Sequence, residues 1–143
     1  MRIFTIGYEA TTMAEFLAAL KKAGVERVID VRALPLSRRP GFSKSPLRGA
    51  LGEAGIDYVH LKALGTPADG RTAARAGRQA ELARIYAEQL KLPEAMVQAE
   101  QMLELAAEKP SALLCFEREP SQCHRSLLLA AVAPDASVTH LFA

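Results

Sequence analysis

Residues 2–32 have the sequence RIFTIGYEATTMAEFLAALKKAGVERVIDVR, which predicts a strand, a helix and a second strand in succession. Residues 2–8 alternate and are rich in Ile, Phe and Thr, a pattern typical of a β-strand. Thr12 and Glu15 have the spacing of a capping box, which predicts that a helix begins here. Residues 25–31 are a β-branched run typical of a buried parallel strand. This stretch therefore predicts a β-α-β unit.

The rest of the chain continues the alternation of strands and helices. We expect further strands near residues 56–61, 111–116 and 138–142, and helices near 46–54, 79–90, 93–108 and 122–132. Residues 65–77, rich in Gly, Ala, Thr and Arg without a clear period, are predicted to form a long loop. The sequence therefore predicts one compact α/β domain over residues 1–143, with a mostly parallel β-sheet flanked by helices on both faces.

Composition limits the class of protein. Half of the 143 residues are apolar, enough for one sizeable core. No run approaches the roughly 18 consecutive apolar residues of a membrane span, so we expect a soluble, cytoplasmic protein with no membrane partner. Two cysteines are too few to hold such a fold together, and both are expected to be reduced inside a cell.

The charges are unevenly distributed, although the net charge is only +2. Residues 32–48 contain five basic residues and no acidic one. Within this segment, residues 37–44 combine bases with Phe42, which suits phosphates and a stacked base. The alternative is a solvated basic loop with Phe42 in the core.

Residues that carry chemistry follow the predicted strands. In open α/β sheets, ligands bind beyond the carboxyl ends of the strands, so these side chains are expected to share one rim. Asp30 lies at the core edge, where a structural ion pair and a catalytic role are equally consistent with the sequence. The other candidates at this rim are Tyr8, Glu9, Arg32, Arg38, Lys44, His60, Glu117, Cys123, His124 and Arg125.

The start of the last predicted helix favours anions. If Ser121 is the N-cap, Cys123, His124 and Arg125 lie in the first turn, where free N–H groups and the helix dipole attract negative charge. The same field favours a thiolate at Cys123. The alternative is that Cys123 is a small buried residue and Arg125 an internal ion-pair partner.

The other thiol, Cys115, lies in an apolar strand and is interpreted as a core residue. A redox pair with Cys123 is an open alternative, although no C-x-x-C spacing is present. Zinc bound by both cysteines, His124 and His60 would lack the close paired spacing of structural zinc sites. We therefore predict no metal and no cofactor.

A series of motifs runs along the chain: residues 5–9, 30–32, Pro35 with 37–38, 41–42 with Lys44, 55–56 with Tyr58 and His60, 114–117, and 123–125. Together they are similar to the motifs of one known family, the Domain of Unknown Function 488 family. The resemblance extends over nearly the whole chain and implies an α/β fold with its motif residues at the same rim, without an established reaction. One departure is Thr66, where a second glycine is expected after Gly65.

Three functions fit these observations. The first is a hydrolase or transferase that acts on a phosphate-bearing substrate, such as a nucleotide or nucleic acid. The chain lacks the Cys-x5-Arg motif of a cysteine phosphatase. The second is a module that binds nucleic acid or another anion without turnover. The third is a regulatory domain stabilised by a small anion. In the enzyme hypothesis, Cys123 is the nucleophile, His124, Glu9 or Glu117 move protons, and Arg32, Arg38 and Arg125 bind phosphate.

Overall fold

Five parallel strands form one sheet in the order β3-β2-β4-β1-β5. The computed structural model describes residues 1–143, except for the side chain of Gln122. The strands are β1 (Arg2–Gly7), β2 (Arg27–Asp30), β3 (Asp57–His60), β4 (Ser111–Cys115) and β5 (Ser137–Leu141). The helices are α1 (Met13–Ala23), α2 (Lys44–Glu53), α3 (Ala68–Arg75), α4 (Gln79–Gln89), α5 (Pro93–Glu108) and α6 (His124–Val132).

Helices cover both faces of the sheet, which confirms the predicted α/β architecture. Neighbouring residues of each inner strand point to opposite faces, so two separate apolar clusters form. Phe4 packs with α1 and α2 on one face, whereas Ile3 packs with α4, α5 and α6 on the other. No helix in residues 1–143 is both long enough and apolar enough to span a membrane.

The predicted capping box is present at the start of α1. The Glu15 N–H donates to Thr12 Oγ1 at 3.2 Å, and the Thr12 N–H donates to Glu15 Oε1 at 3.0 Å. Gly24 ends the helix with φ of 77°, a conformation that glycine adopts without steric cost. The first connection of the sheet is thus specified locally.

The prediction of a long loop over residues 65–77 is wrong. A 3₁₀ turn covers Lys62–Leu64, and α3 covers Ala68–Arg75. The buried residues of α3 are Gly70 and Ala73, and a Cβ on Gly70 would lie only 3.2 Å from Ile85 Cγ2 of α4. Because close packing requires small residues here, the segment lacks the spacing of large apolar residues that identifies a helix.

Two predicted helix starts are also wrong. Helix α2 begins at Lys44 after Ser43, and Pro46 occupies its third position, where no intrahelical N–H bond is lost. Ser121 does not cap α6, because residues 120–122 form a separate 3₁₀ turn. The N-cap position belongs instead to Cys123, whose backbone is extended.

Gly7 permits a close contact between two loops at the end of the sheet. A Cβ at this position would lie 1.9 Å from the backbone oxygen of Glu117. Two residues later, the Glu9 N–H donates to the Phe116 oxygen at 2.9 Å. Glycine is therefore required here because the backbone after β4 passes too close for a side chain. This close contact holds the end of β1 against the segment after β4.

We predict that Gly7→Ala lowers the free energy of unfolding by about 3 kcal/mol, the upper end of the usual cost of overpacking. The added methyl group meets backbone that cannot move aside without breaking the contacts after β1 and β4. Urea unfolding followed by circular dichroism measures this change.

The matched control is Gly49→Ala in the middle of α2, where a Cβ meets no atom within 4 Å. This substitution should raise stability by up to about 1 kcal/mol, because alanine is the better helix former. Equal effects of the two substitutions would contradict the close approach at Gly7.

Candidate functional site

A cavity of about 940 Å³ lies beyond the carboxyl ends of β1, β2 and β4. The loops after these strands form most of its wall, and α3 contributes Arg71, Ala74 and Arg75. The remaining wall residues are Thr66, Leu82, Cys115 and His124. We call it the arginine cavity, because its wall contains the five arginines Arg32, Arg38, Arg39, Arg71 and Arg75. The position agrees with the rule that parallel sheets bind ligands at this edge.

Arg32 is held by Asp30 in a buried, bidentate ion pair. Its Nε and Nη2 atoms donate to the two carboxylate oxygens of Asp30 at 2.9 and 2.8 Å. Its Nη1 atom donates to the Phe42 carbonyl at 2.7 Å and to the Tyr8 hydroxyl at 3.2 Å. Burial lowers the pKa of Arg32, but Asp30 outweighs it and raises the pKa above its usual value. All three nitrogens of this guanidinium thus have protein partners.

Asp30 receives further hydrogen bonds from its surroundings and is completely buried. The Tyr58 hydroxyl donates to its Oδ2 at 2.5 Å, and the Arg32 N–H donates to its Oδ1 at 3.1 Å. Burial and this hydrogen bond raise the pKa of Tyr58. The structure therefore gives Asp30 the geometry of a structural ion pair.

We predict that Asp30→Asn lowers the free energy of unfolding by about 3–5 kcal/mol, the cost of leaving a buried charge without its partner. Arg32 would retain its charge while losing the bidentate carboxylate. Urea unfolding at neutral pH measures the difference. The exposed Asp135→Asn is the matched control and should change stability by less than about 0.5 kcal/mol. A similarly small effect of Asp30→Asn would contradict the structural role of the pair.

The other four arginines of the wall form no ion pair with a carboxylate in the described chain. Arg39 donates to the Thr11 carbonyl at 2.6 and 3.0 Å, and Arg71 donates to the Thr66 carbonyl at 2.8 Å. Thr66 itself is buried and lines the cavity. Backbone carbonyl groups therefore orient Arg39 and Arg71, but no carboxylate of the described chain neutralises the four charges by an ion pair.

Two carboxylates also belong to the wall. Glu9 Oε1 accepts a hydrogen bond from the Arg118 N–H at 3.0 Å, so Glu9 helps to hold the loop after β4. Burial raises the pKa of Glu117, although the nearby Arg125 opposes this shift. These are the acids that line the cavity, and five arginines lie in the same wall.

Cys115, Cys123 and His124 form a buried group that we call the cysteine–histidine cluster. Cys115 ends β4, Cys123 precedes α6, and His124 is the first residue of that helix. The structure joins the two sulfurs as a disulfide with the Cα atoms 7.2 Å apart. Cys115 and His124 also line the arginine cavity.

The imidazole of His124 is fixed by one hydrogen bond. Its Nε2 atom lies 2.7 Å from the Val31 carbonyl oxygen, which only accepts, so Nε2 carries the proton. Its Nδ1 atom lies 3.7 Å from Cys123 Sγ. Burial lowers the pKa of His124 to about 4, and the nearby Arg125 acts in the same direction. The ring is therefore neutral at physiological pH.

Arg125 lies behind the cavity wall and not in it. Its Nη1 atom donates to the Glu117 oxygen at 2.7 Å and to Cys115 Sγ at 2.9 Å, and its Nη2 atom donates to the Arg118 oxygen at 3.1 Å. Burial lowers its pKa to about 10. This guanidinium is completely buried and ties α6 to the loop after β4.

The structure separates the candidate residues into groups. Lys44 is exposed at the start of α2, and the Nε2 atom of the half-buried His60 lies 2.7 Å from the Arg32 carbonyl; neither lines the cavity. Phe42 lies in the core and stacks on Tyr8 with ring centroids 4.8 Å apart, so the core alternative is the one observed. The candidates that line the cavity are Tyr8, Glu9, Arg32, Arg38, Glu117 and His124.

Outside the basic segment 32–48, sequence reasoning missed two arginines of the cavity, Arg71 and Arg75. They lie four residues apart on α3, a spacing that places two side chains on one helix face. That spacing is the signal that was available, but residues 65–77 were predicted to form a loop. A helix in this segment would have placed both guanidiniums together.

The family model described as Domain of unknown function DUF488 matches residues 12–132 of the 143-residue chain. The chain belongs to this family. The resemblance inferred from the motifs is therefore confirmed. No curated protein and no solved structure matches the chain. The DUF488 match includes the cysteine–histidine cluster and every arginine of the cavity, whereas Tyr8 and Glu9 precede it.

Proposed function

We propose that this DUF488 chain binds a phosphate-bearing organic molecule in the arginine cavity. The observation that carries the proposal is the set of four wall arginines, Arg38, Arg39, Arg71 and Arg75, without an ion-paired carboxylate in the described chain. Planar guanidinium groups match the oxygens of a phosphate and bind them through paired, charge-assisted hydrogen bonds. An anion would offset the mutual repulsion of these charges.

The rest of the wall suits an apolar or aromatic portion of the same ligand. Leu34, Leu36 and Phe116 line the cavity with 51%, 70% and 43% of their surface exposed. Exposed apolar side chains beside polar groups commonly mark a binding site. A volume of about 940 Å³ is at the upper end of the roughly 300–1,000 Å³ of small-molecule sites. We therefore propose a ligand the size of a mononucleotide.

A small molecule is favoured over a nucleic acid strand by the location of the basic residues. Lys44 and Arg48 are exposed on α2 but do not line the cavity. The unpaired arginines are instead grouped around one concave space, whereas a strand-binding surface follows a backbone along a groove. A nucleic acid remains an outcome that the binding test distinguishes.

Turnover of the ligand is a second candidate function. Glu117 lines the cavity, and its carboxyl group has no ion-pair partner among the described residues; a site for phosphate alone gains nothing from such a group. This placement favours a hydrolase or transferase in which Glu117 moves a proton. Glu117→Gln would then retain ligand binding while abolishing release of inorganic phosphate from an ester substrate.

We predict that Arg38→Ala and Arg75→Ala each weaken binding of a nucleoside monophosphate about tenfold, which corresponds to about 1.4 kcal/mol. Each substitution removes one guanidinium from the cavity wall. The measurement is a thermal-shift titration of the reduced protein with inorganic phosphate, nucleoside monophosphates and short single-stranded RNA, at low and high salt.

The matched control is Arg84→Ala, which removes an exposed arginine of α4 that does not line the cavity. This variant should bind as the unmodified protein does. Equal weakening by all three substitutions would show that net charge alone is responsible. Stabilisation by RNA alone would replace the small molecule with a nucleic acid, and no stabilisation by any of these compounds would refute the proposal.

A further inference from the structure

We propose that Cys115, Cys123 and His124 bind a zinc ion at the inner wall of the arginine cavity when both cysteines are reduced. The two Sγ atoms and one imidazole nitrogen lie within 4.8 Å of one another. Thiolate and imidazole together are donors that suit zinc. The inference does not depend on the anion proposal, because it rests on different side chains.

The distance between sulfur and nitrogen fits a tetrahedral zinc ion. Zinc binds thiolate sulfur at about 2.3 Å and imidazole nitrogen at about 2.0–2.1 Å, so two such ligands at the tetrahedral angle lie about 3.6 Å apart. Cys123 Sγ and His124 Nδ1 are 3.7 Å apart. These neighbouring residues are thus already placed to share one ion.

The orientation of His124 is that of a metal ligand. Histidine ligands usually donate the N–H of the other ring nitrogen to a carboxylate or a backbone carbonyl, which fixes the ring. His124 Nε2 makes this contact with the Val31 oxygen at 2.7 Å. Its Nδ1 lone pair is consequently directed towards the sulfur side of the cluster.

The separation of the two cysteines is wide for a disulfide. Their Cα atoms are 7.2 Å apart, whereas a disulfide usually spans about 4.4–6.8 Å. A zinc ion holds two thiolate sulfurs about 3.8 Å apart, so it bridges a wider backbone separation. The distance between the ends of β4 and α6 therefore fits two reduced cysteines that share a zinc ion.

The charge of the cluster and its access to the cavity also favour a zinc ion. Two thiolates balance the charge of Zn²⁺, and Arg125 Nη1 donates to Cys115 Sγ at 2.9 Å, which stabilises that thiolate. Cys115 and His124 line the arginine cavity, so a fourth coordination position would face it. Three protein ligands with one open position are typical of catalytic zinc sites.

The test is a zinc titration of the reduced, chelator-treated chain without oxygen, in competition with a chromophoric chelator. We expect one zinc ion per chain and loss of binding in Cys115→Ser and Cys123→Ser. His124→Gln should weaken binding at least tenfold, since glutamine can still donate to the Val31 oxygen but lacks the Nδ1 ligand. His140→Gln, which removes an exposed histidine of β5, is the matched control and should leave affinity unchanged.

Cobalt substitution of the unmodified chain tests the same site without any variant. Tetrahedral d–d bands together with thiolate-to-cobalt charge-transfer bands would support the proposal. An octahedral spectrum without thiolate bands would overturn it. Failure of the reduced chain to compete for zinc, or equal zinc affinity of the natively folded His124→Gln and the unmodified chain, would also overturn it. Retention of zinc binding in Arg38→Ala and Arg75→Ala would show that this site is separate from the anion site.

Discussion

The carboxylate of Asp30 is completely buried, and the groups that balance its charge determine how the edge of the sheet is built. An isolated buried carboxylate is too costly, so it must be matched by a positive charge and by hydrogen bonds. Arg32 supplies the charge, and the other end of its guanidinium then reaches the Tyr8 hydroxyl and the Phe42 carbonyl. One ion pair consequently joins β2, the end of β1 and the basic loop. The wall of the arginine cavity is held in place by this network.

A second buried charge, that of Arg125, is held by different means. Arg125 forms no ion pair with a carboxylate in the described chain and is instead surrounded by two carbonyl oxygens and the sulfur of Cys115. These dipoles replace water but do not cancel the charge, which is why burial lowers its pKa to about 10. The contacts hold the backbone of residues 117–118 against α6. Gly7 allows β1 to approach this same backbone.

The parts of the fold that local chemistry specifies were predictable from the sequence. The capping box of α1, the buried strand before Arg32 and the boundaries of α5 follow from residue type and spacing. Helix α3 was missed because tertiary packing against α4 determines it, and small buried residues leave no hydrophobic period. Ser121 was mistaken for a cap because a proline-led 3₁₀ turn competes with the helix for the same residues.

The position of the cavity was predictable from the sequence, whereas the residues that line it were less so. Strand ends locate the rim, and most candidates that follow β1, β2 and β4 do line the cavity. The direction of each side chain could not be predicted, because it depends on the buried groups with which that side chain forms hydrogen bonds. Arg125 points inward to the carbonyls and the sulfur, and His60 lies beside the Arg32 carbonyl, whereas a strand-end pattern treats both as rim residues.

The electrostatics of the arginine cavity connect the two proposed ligands. Guanidinium groups around one cavity repel one another, and a bound anion would reduce that repulsion. A zinc ion held by two thiolates adds no net charge, and the demand for an anion would persist with the metal bound. Cys115 and His124 line the same cavity as the arginines, so the two proposed ligands would share one space. With the metal bound, Cys115, Cys123 and His124 would hold a Lewis acid in the cavity where the arginines would bind a phosphate, and this combination favours metal-assisted hydrolysis or transfer.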